Sequence, residues 1–310
     1  MEALPDARPQ AANAMIAERL KRGRILANQL PDDAICFLRA APERPNMTAC
    51  FPGLPVSGVV ITKNEGDRIE RCVRSMAGLC QEVIVLDSGS SDDTVSRAQA
   101  AGATVAHQDW LGFSGQKNAV LERASQPWIL LLDADEWLGD GTDRRIRKLF
   151  ASGRVENADI WRLFRRTHFL GKPLNFGGWG SEAKARLFRR ELRYRSAHVH
   201  EKLEMRGQRK GYLLARIEHD TARSEAEYRT KLGRYAALFA VQNHAKGITA
   251  HRYSPVMHAA FYLLKNYLLR GGFLDGPMGL RYHRCHAHYT RDKWARLRQL
   301  NENPGQSRLS

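Results

Sequence analysis

With 310 residues, 43% of them hydrophobic and 26% charged, the chain is long enough to bury a sizeable core and too ordinary in composition to be disordered or fibrous. A net charge of +16 is not ordinary and points to anionic partners: nucleic acid, anionic lipid or phosphorylated substrates. Five cysteines (Cys36, Cys50, Cys72, Cys80 and Cys285) without a C-x-x-C support neither a disulfide framework nor a zinc site, and they fit a reducing cytoplasm. No apolar run approaches the roughly 18 residues of a spanning helix, and the N-terminus lacks the apolar centre of a signal peptide.

Residues 1–53 are poorly patterned and read as an N-terminal extension, partly disordered. Within it residues 14–29 have the spacing of a basic amphipathic helix, and Met47 is an alternative start. From residue 56 the pattern changes. V-S-G-V-V-I-T reads as a buried strand and K-N-E-G-D as the turn after it. A helix is predicted over 68–77, a strand ending at Asp87, a helix over 94–101 capped by Ser91 or Asp92, and a short strand over 103–107. A helix over 116–124 and the strand W-I-L-L-L-D, residues 128–133, complete the alternation. Strand and helix in turn predict a parallel sheet covered on both faces, a Rossmann-like α/β fold. Beyond residue 144 the alternation is lost. Strands are predicted over 158–164 and 184–189, and helices over 230–243 and 255–270.

The chemistry gathers at strand ends. W-I-L-L-L-D-A-D-E-W runs four apolar residues into Asp133, Asp135 and Glu136. In extended chain Asp133 and Asp135 point the same way, and two adjacent carboxylates repel unless a cation lies between them. Hard oxygens suit Mg2+ or Mn2+, which commonly also bind substrate phosphates. A parallel sheet brings Thr62-Lys63-Asn64-Glu65, Asp87-Ser88-Gly89-Ser90 and Asp133-Ala134-Asp135 to one edge, where open α/β sheets bind ligands. The competing reading of Asp87 and Ser88 is turn formation and helix capping. Neither a P-loop nor a dinucleotide fingerprint occurs.

These residues carry a resemblance. V-V-I-T-K-N-E, V-I-V-L-D-S-G-S-S-D-D-T, D-W-L-G-F-S-G-Q-K-N and L-L-L-D-A-D-E together resemble the donor half of the inverting family-2 glycosyltransferases of GT-A fold. With G-G-W-G-S-E-A-K-A-R-L-F-R-R, V-H-E-K-L-E and R-G-G-F-L-D-G, the subgroup most similar is that of lipopolysaccharide-core β-glucosyltransferases of the WaaE type. The resemblance implies a GT-A domain with a mostly parallel sheet, followed by a helical basic region. Thr62, Asn64, Glu65, Asp87 and Ser88 would meet the nucleotide, Asp133 the ribose and sugar, and Asp135 a divalent cation, Mg2+ or Mn2+. Lys117 matches a polar position beside the donor; otherwise it is a solvated helix residue.

Inverting transfer needs a carboxylate to take the acceptor hydroxyl proton. Glu182, where the subgroup commonly has Asp, is the first candidate, and Glu201 in H-V-H-E-K is its rival. His198 and His200 alternate about Val199, and His200 is a candidate further metal ligand; the bland alternative is a pair of surface or core histidines. Arg186 and Arg189 are candidates to pair with phosphate. Between residues 206 and 300, 18 Lys and Arg stand against 6 Asp and Glu, beside an apolar, aromatic helix. Such a segment suits an anionic membrane surface or a lipid-linked acceptor; its alternative is a core helix with a solvated basic face. The expected division is an extension over 1–53, a catalytic domain over 54–222 (donor half 54–140, acceptor half 141–222) and a helical basic region over 223–310. The expected activity is transfer of a sugar from a nucleotide sugar, UDP-glucose by resemblance, to a lipopolysaccharide inner-core saccharide. The protein would be cytoplasmic and peripheral to the inner membrane, with no nucleic acid partner. The rivals are transfer to another lipid-linked or exported glycan, and a non-enzymatic nucleic-acid-binding protein.

Overall fold

The structure, a computed structural model, describes residues 53–178, 182–195 and 202–303. The apolar run Leu54–Thr62 forms β1, buried on both faces as a central parallel strand must be. Val56 and Val60 face one core and Val59 the other, the two-residue period of a strand. Helix α1 (Ile69–Met76) lays Ile69, Val73 and Met76 on the first core. Then come β2 (Cys80–Asp87), α2 (Thr94–Ala100), β3 (Thr104–His107), α3 (Gly112–Arg123) and β4 (Trp128–Asp133). The order β3-β2-β1-β4 is parallel throughout. Ala119, Val120 and Leu121 of α3 cover the second core, so the sheet carries helices on both faces.

The second half adds β5 (Glu136–Leu138), α4 (Thr142–Ala151), β6 (Ile160–Phe169), β7 (Lys172–Leu174), β8 (Glu182–Arg189) and β11 (Lys210–Asp220). A separate two-stranded ribbon is made by β9 (Tyr194–Arg195) and β10 (Lys202–Leu203). Strand β8 joins the sheet beside β4 and runs antiparallel to both β4 and β6, whereas β6 and β11 are parallel. The sheet is therefore mixed rather than mostly parallel. The reason lies in the connections: no helix separates β6, β7 and β8, and strands joined without a crossover fold back antiparallel. This reversal brings the start of β8, and Glu182 with it, to the edge where β4 ends.

After β11 the chain is helical: α5 (Glu225–Ala245), α6 (Ser254–Tyr262), a π-helical segment (Leu263–Leu269), a 3-10 turn (Gly272–Asp275) and α7 (Gly276–Glu302). Phe169, Leu174, Tyr228, Leu232, Tyr282 and Cys285 form one cluster that joins α5 and α7 to the sheet. Helix α5 starts five residues before the predicted 230 because Ser224 caps it, its side chain accepting from the Glu227 N–H, an S-x-x-E signal. Helix α7 falls in the region expected to be helical, 223–310, but no individual helix was predicted over it. Its inner face is made of Tyr282, His283, His286 and Thr290, which do not read as an apolar stripe. No helix among the described residues is long and apolar enough to cross a membrane. Cys72, Cys80 and Cys285 are buried and free. The helix expected over 14–29 lies outside the described residues.

Candidate active site

Register brings the three acidic strand ends together: Thr62 pairs with Asp87 and Ile61 with Asp133. Thr62 is buried, and its Oγ1 has no protein partner. Asn64 takes a positive φ of 56°, which turns the chain so that its side-chain oxygen accepts from the Ser91 N–H at 2.8 Å. The Glu65 N–H donates to Thr94 Oγ1 at 2.8 Å, and the Glu65 carboxylate meets Arg223 at 2.8 Å. Burial still pushes the Glu65 carboxyl up, against the pull of Arg223 and Arg68. Asp87 is buried and accepts from the N–H groups of Gly89 and Ser90 at 2.9 and 2.8 Å. Ser88 Oγ accepts from Gln116 Nε2 at 2.9 Å. Asp87 thus shapes its own turn but caps no helix, and it remains at the sheet edge.

Asp133 is held from two sides. Arg186 NH2 donates to its Oδ2 at 2.7 Å, and Lys117 Nζ lies 3.5 Å from Oδ1. Burial opposes ionisation, but the two cations outweigh it and hold the Asp133 carboxyl well below the usual carboxylate range. The same Arg186 nitrogen bonds Glu136 Oε1 at 2.6 Å, and Glu136 is wholly buried, which pushes its carboxyl up. Arg186 is therefore already the counter-ion of two carboxylates, not a free phosphate ligand. Arg189 stands opposite Trp128 at the start of β4, at the other edge of the sheet. Lys117 is buried with its ammonium 5.3 Å over the Tyr194 ring, so it is not a solvated helix residue.

Asp135 faces His219 of β11, with Oδ2 and Nε2 3.4 Å apart and both side chains largely buried. Burial works against ionisation of Asp135, but His219 holds its carboxyl below the ordinary value. The other nitrogen of His219, Nδ1, is buried without a hydrogen-bond partner. One carboxylate and one imidazole fit a divalent cation that completes its shell with water and substrate phosphate. Among the described residues no group of three His, Cys, Asp or Glu forms an all-protein cage. The expected second ligand, His200, lies outside the described residues, as do His198 and Glu201. His219 was missed because E-H-D at the end of a strand of mixed character carries no spacing signal. Only the pairing of β11 with β5, His219 opposite Glu136, brings it beside the D-x-D.

Glu182 opens β8 across from Arg165 of β6. Its carboxylate meets Arg165 at 2.7 Å and Lys184 at 2.6 Å while nearly half its side chain stays exposed. Burial raises the Glu182 carboxyl, but Lys184 and Arg165 prevail and leave it below its ordinary value.

The profile of "Glycosyl transferase family 2" matches residues 57–208. The chain is 30% identical over 248 residues to "Lipopolysaccharide core biosynthesis glycosyltransferase LpsC" of Rhizobium meliloti (strain 1021), covering 75% of this chain and 90% of that one. It is 44% identical over 110 residues to an "Uncharacterized glycosyltransferase" of Rickettsia bellii (strain RML369-C), 36% of each chain. Among solved structures it resembles glucosyl-3-phosphoglycerate synthase from Mycobacterium tuberculosis with Mn2+, UDP and glucosyl-3-phosphoglycerate. That likeness is 28% identical over 41% of this chain and 51% of that one, and its TM-score of 0.31 is too low to bear on this chain's ligands. A parallel first half, a D-x-D at its edge and a mixed second half define a glycosyltransferase of GT-A fold. The chain belongs to glycosyl transferase family 2, which sets aside the non-enzymatic, nucleic-acid-binding reading.

Proposed function

We propose that the chain moves glucose from UDP-glucose, with inversion, to an inner-core saccharide of lipopolysaccharide at the cytoplasmic face of the inner membrane. One observation supports the donor assignment: strand register draws Thr62, Asp87, Asp133, Asp135 and His219 to a single sheet edge, and α3 adds Lys117 beside Asp133. The acceptor class is supported by likeness to LpsC over nearly all of that protein, and glucose by the resemblance to β-glucosyltransferases.

In this reading Thr62, Asn64, Glu65, Asp87 and Ser88 line the nucleotide subsite. The unpartnered Thr62 Oγ1 is a hydroxyl available to it. Asp133, oriented by Arg186 and Lys117, meets ribose and sugar. Asp135 and His219 would hold Mg2+ or Mn2+, which when bound neutralises the departing diphosphate. As the acceptor oxygen forms its bond to the sugar C1 and the C1–O bond to the diphosphate breaks, Glu182 takes the hydroxyl proton. Its ion pairs keep it ionised and ready, and they must loosen for it to accept that proton. Glu201 is the second candidate for this step.

The test is a panel of nucleotide sugars offered with heptose-containing core saccharide, with Mn2+ or with chelator, and the product anomer read by NMR. Transfer from UDP-glucose, only with the cation, giving the inverted anomer, is expected. Undiminished turnover in chelator removes the metal from the reaction, and retention of configuration removes Glu182 as a base for direct displacement.

A further inference from the structure

Helix α6 and the π-helical segment after it have one anchored face and one bare face. On the anchored face Pro255 is buried, the Tyr262 hydroxyl meets His283 Nδ1 at 2.9 Å, and His258 stacks on Trp294 with ring centroids 3.9 Å apart. On the bare face Val256, Met257, Phe261, Leu264, Leu268 and Leu269 are each 48–76% exposed. They recur in steps of four, as 256–260–264–268 and 257–261–265–269, with Ala260 and Lys265 filling the rows. The wider π turn keeps 264 and 268 on the side set by 256 and 260. Phe273 and Leu274 carry the same exposure into the next turn. A core helix would have buried Phe261, Leu264 and Leu268. Contiguous apolar exposure of this extent on a folded chain marks an interaction surface.

Charge selects the occupant. Between Tyr228 and Leu274 there is no Asp or Glu, and there are seven Lys and Arg. Arg252 lies at the entrance to α6 and Lys265 lies in the bare face, with its ammonium 5.9 Å over the Phe261 ring. A second copy of this chain would bring like charge to like charge. A bilayer with anionic headgroups offers both an apolar layer and the opposite charge.

We infer that the bare face of α6 and the π-helical segment is a docking surface for an anionic membrane, lying in the headgroup plane rather than crossing it. The inference deepens the reading of a membrane-borne acceptor and rests on it for the choice of partner. The same hairpin also reaches the catalytic side: Asp275 accepts from the N–H groups of Asn175 and Phe176 at 3.0 and 3.1 Å, and the Gly177 N–H donates to the Arg270 carbonyl at 2.9 Å. Docking would thus bring the lipid surface to the loop that leads into Glu182, where a lipid-linked saccharide has to arrive.

The experiment is sedimentation of the full chain with vesicles of phosphatidylcholine alone or with phosphatidylglycerol, at low and high salt, with no donor or acceptor present. Partitioning onto anionic vesicles at low salt is expected, falling about tenfold at high salt as the charges are screened. A comparable fall is expected for the triple variant Phe261→Ser, Leu264→Ser, Leu268→Ser, and a smaller one for Arg252→Glu with Lys265→Glu. All these sites are exposed, so unchanged melting temperatures certify the fold. Equal binding to neutral and anionic vesicles, or no binding at all, overturns the inference. So does a concentration-dependent dimer of the wild type that the triple substitution dissolves. Donor hydrolysis without vesicles is measured in parallel. Hydrolysis without docking removes only the surface; docking without turnover of any nucleotide sugar removes only the proposed activity.

Discussion

The sheet edge and the bare face of α6 handle charge in opposite ways. At the edge, Arg186 answers both Asp133 and Glu136, Lys117 adds to Asp133, and Arg223 gathers Glu65 and Asp67 within 2.8 Å. Along α6 and the π-helical segment, exposed apolar side chains stand beside Arg252 and Lys265, with no carboxylate on the segment. The carboxylates of the first region are paired before any ligand arrives, so on the proposed function they need little rearrangement when a diphosphate and sugar bind. The second is complete only against something else. On the proposed function the edge serves a small charged donor, which calls for preorganisation, and the bare face a fluid surface, which calls for area and sign.

The sharpest way to break the comparison is to remove the charge that completes the edge. Arg186→Met leaves Asp133 and Glu136 facing each other, and loss of one partner from a buried ionic cluster costs about 3–5 kcal/mol. Urea denaturation should show that loss; an unchanged midpoint would mean that packing, not charge, holds the edge together. Next in size are two substitutions that keep the edge folded and remove its chemistry. Asp135→Asn and Glu182→Gln should each lower turnover by about a hundredfold, about 2.7 kcal/mol, with melting temperature unchanged. The two should differ in donor binding, which Asp135→Asn weakens and Glu182→Gln spares; equal effects on donor KM would undo the separate roles.

The smallest expected effect lies among the C-terminal helices. Buried His286 bonds the Tyr228 hydroxyl at 2.6 Å, and burial, aided by the charges of His283 and Lys293, pushes its imidazole down to about 3 from 6.5. A histidine depressed in the folded state lets the unfolded chain take a proton that the folded chain refuses. Its contribution is therefore intact above pH 6.5 and is lost progressively as pH falls toward 3. Each pH unit in that window costs roughly 1.4 kcal/mol, so between pH 6.5 and 5 about 2 kcal/mol should go. Unfolding curves at pH 7, 6 and 5 for wild type and His286→Phe measure it as the difference in slope. Parallel slopes would show that His286 does not carry the acid sensitivity.

What could be read from the residues follows the same division. The first half was legible because β1, β2 and β4 are buried on both faces and two of them, β2 and β4, end in carboxylates, so Val59, Leu86 and Leu131 announce strands and Asp87 and Asp133 announce an edge. The direction of the strands in the second half was not, because they reverse without helices between them and only pairing reveals it. His219 lies far along the chain from Asp135, and nothing local tells it from a buried core histidine. Arg186 illustrates another limit: a basic residue near a phosphate site reads as a ligand until the carboxylates that already engage it are seen. In the helices, Tyr282, His283 and His286 pack where leucines would have been recognised, so the longest helix of the described residues was read only as part of a helical region and not as an element with bounds.

The mooring of the Asn175–Gly178 loop bears on how such chains can be recombined. Gly177 and Gly178 adopt positive φ, and a Cβ on them would meet His283 Nε2 at 2.4 Å and Arg270 NH1 at 2.6 Å. The loop ahead of Glu182 is thus shaped to one particular hairpin and one particular helix, more than ninety residues further along. Grafting the last third of a relative onto this core would have to carry the loop with it. The inheritable module is this discontinuous pair, loop and hairpin together, and a hybrid joined at the tidy boundary after β11 would bring mismatched halves to the loop ahead of β8.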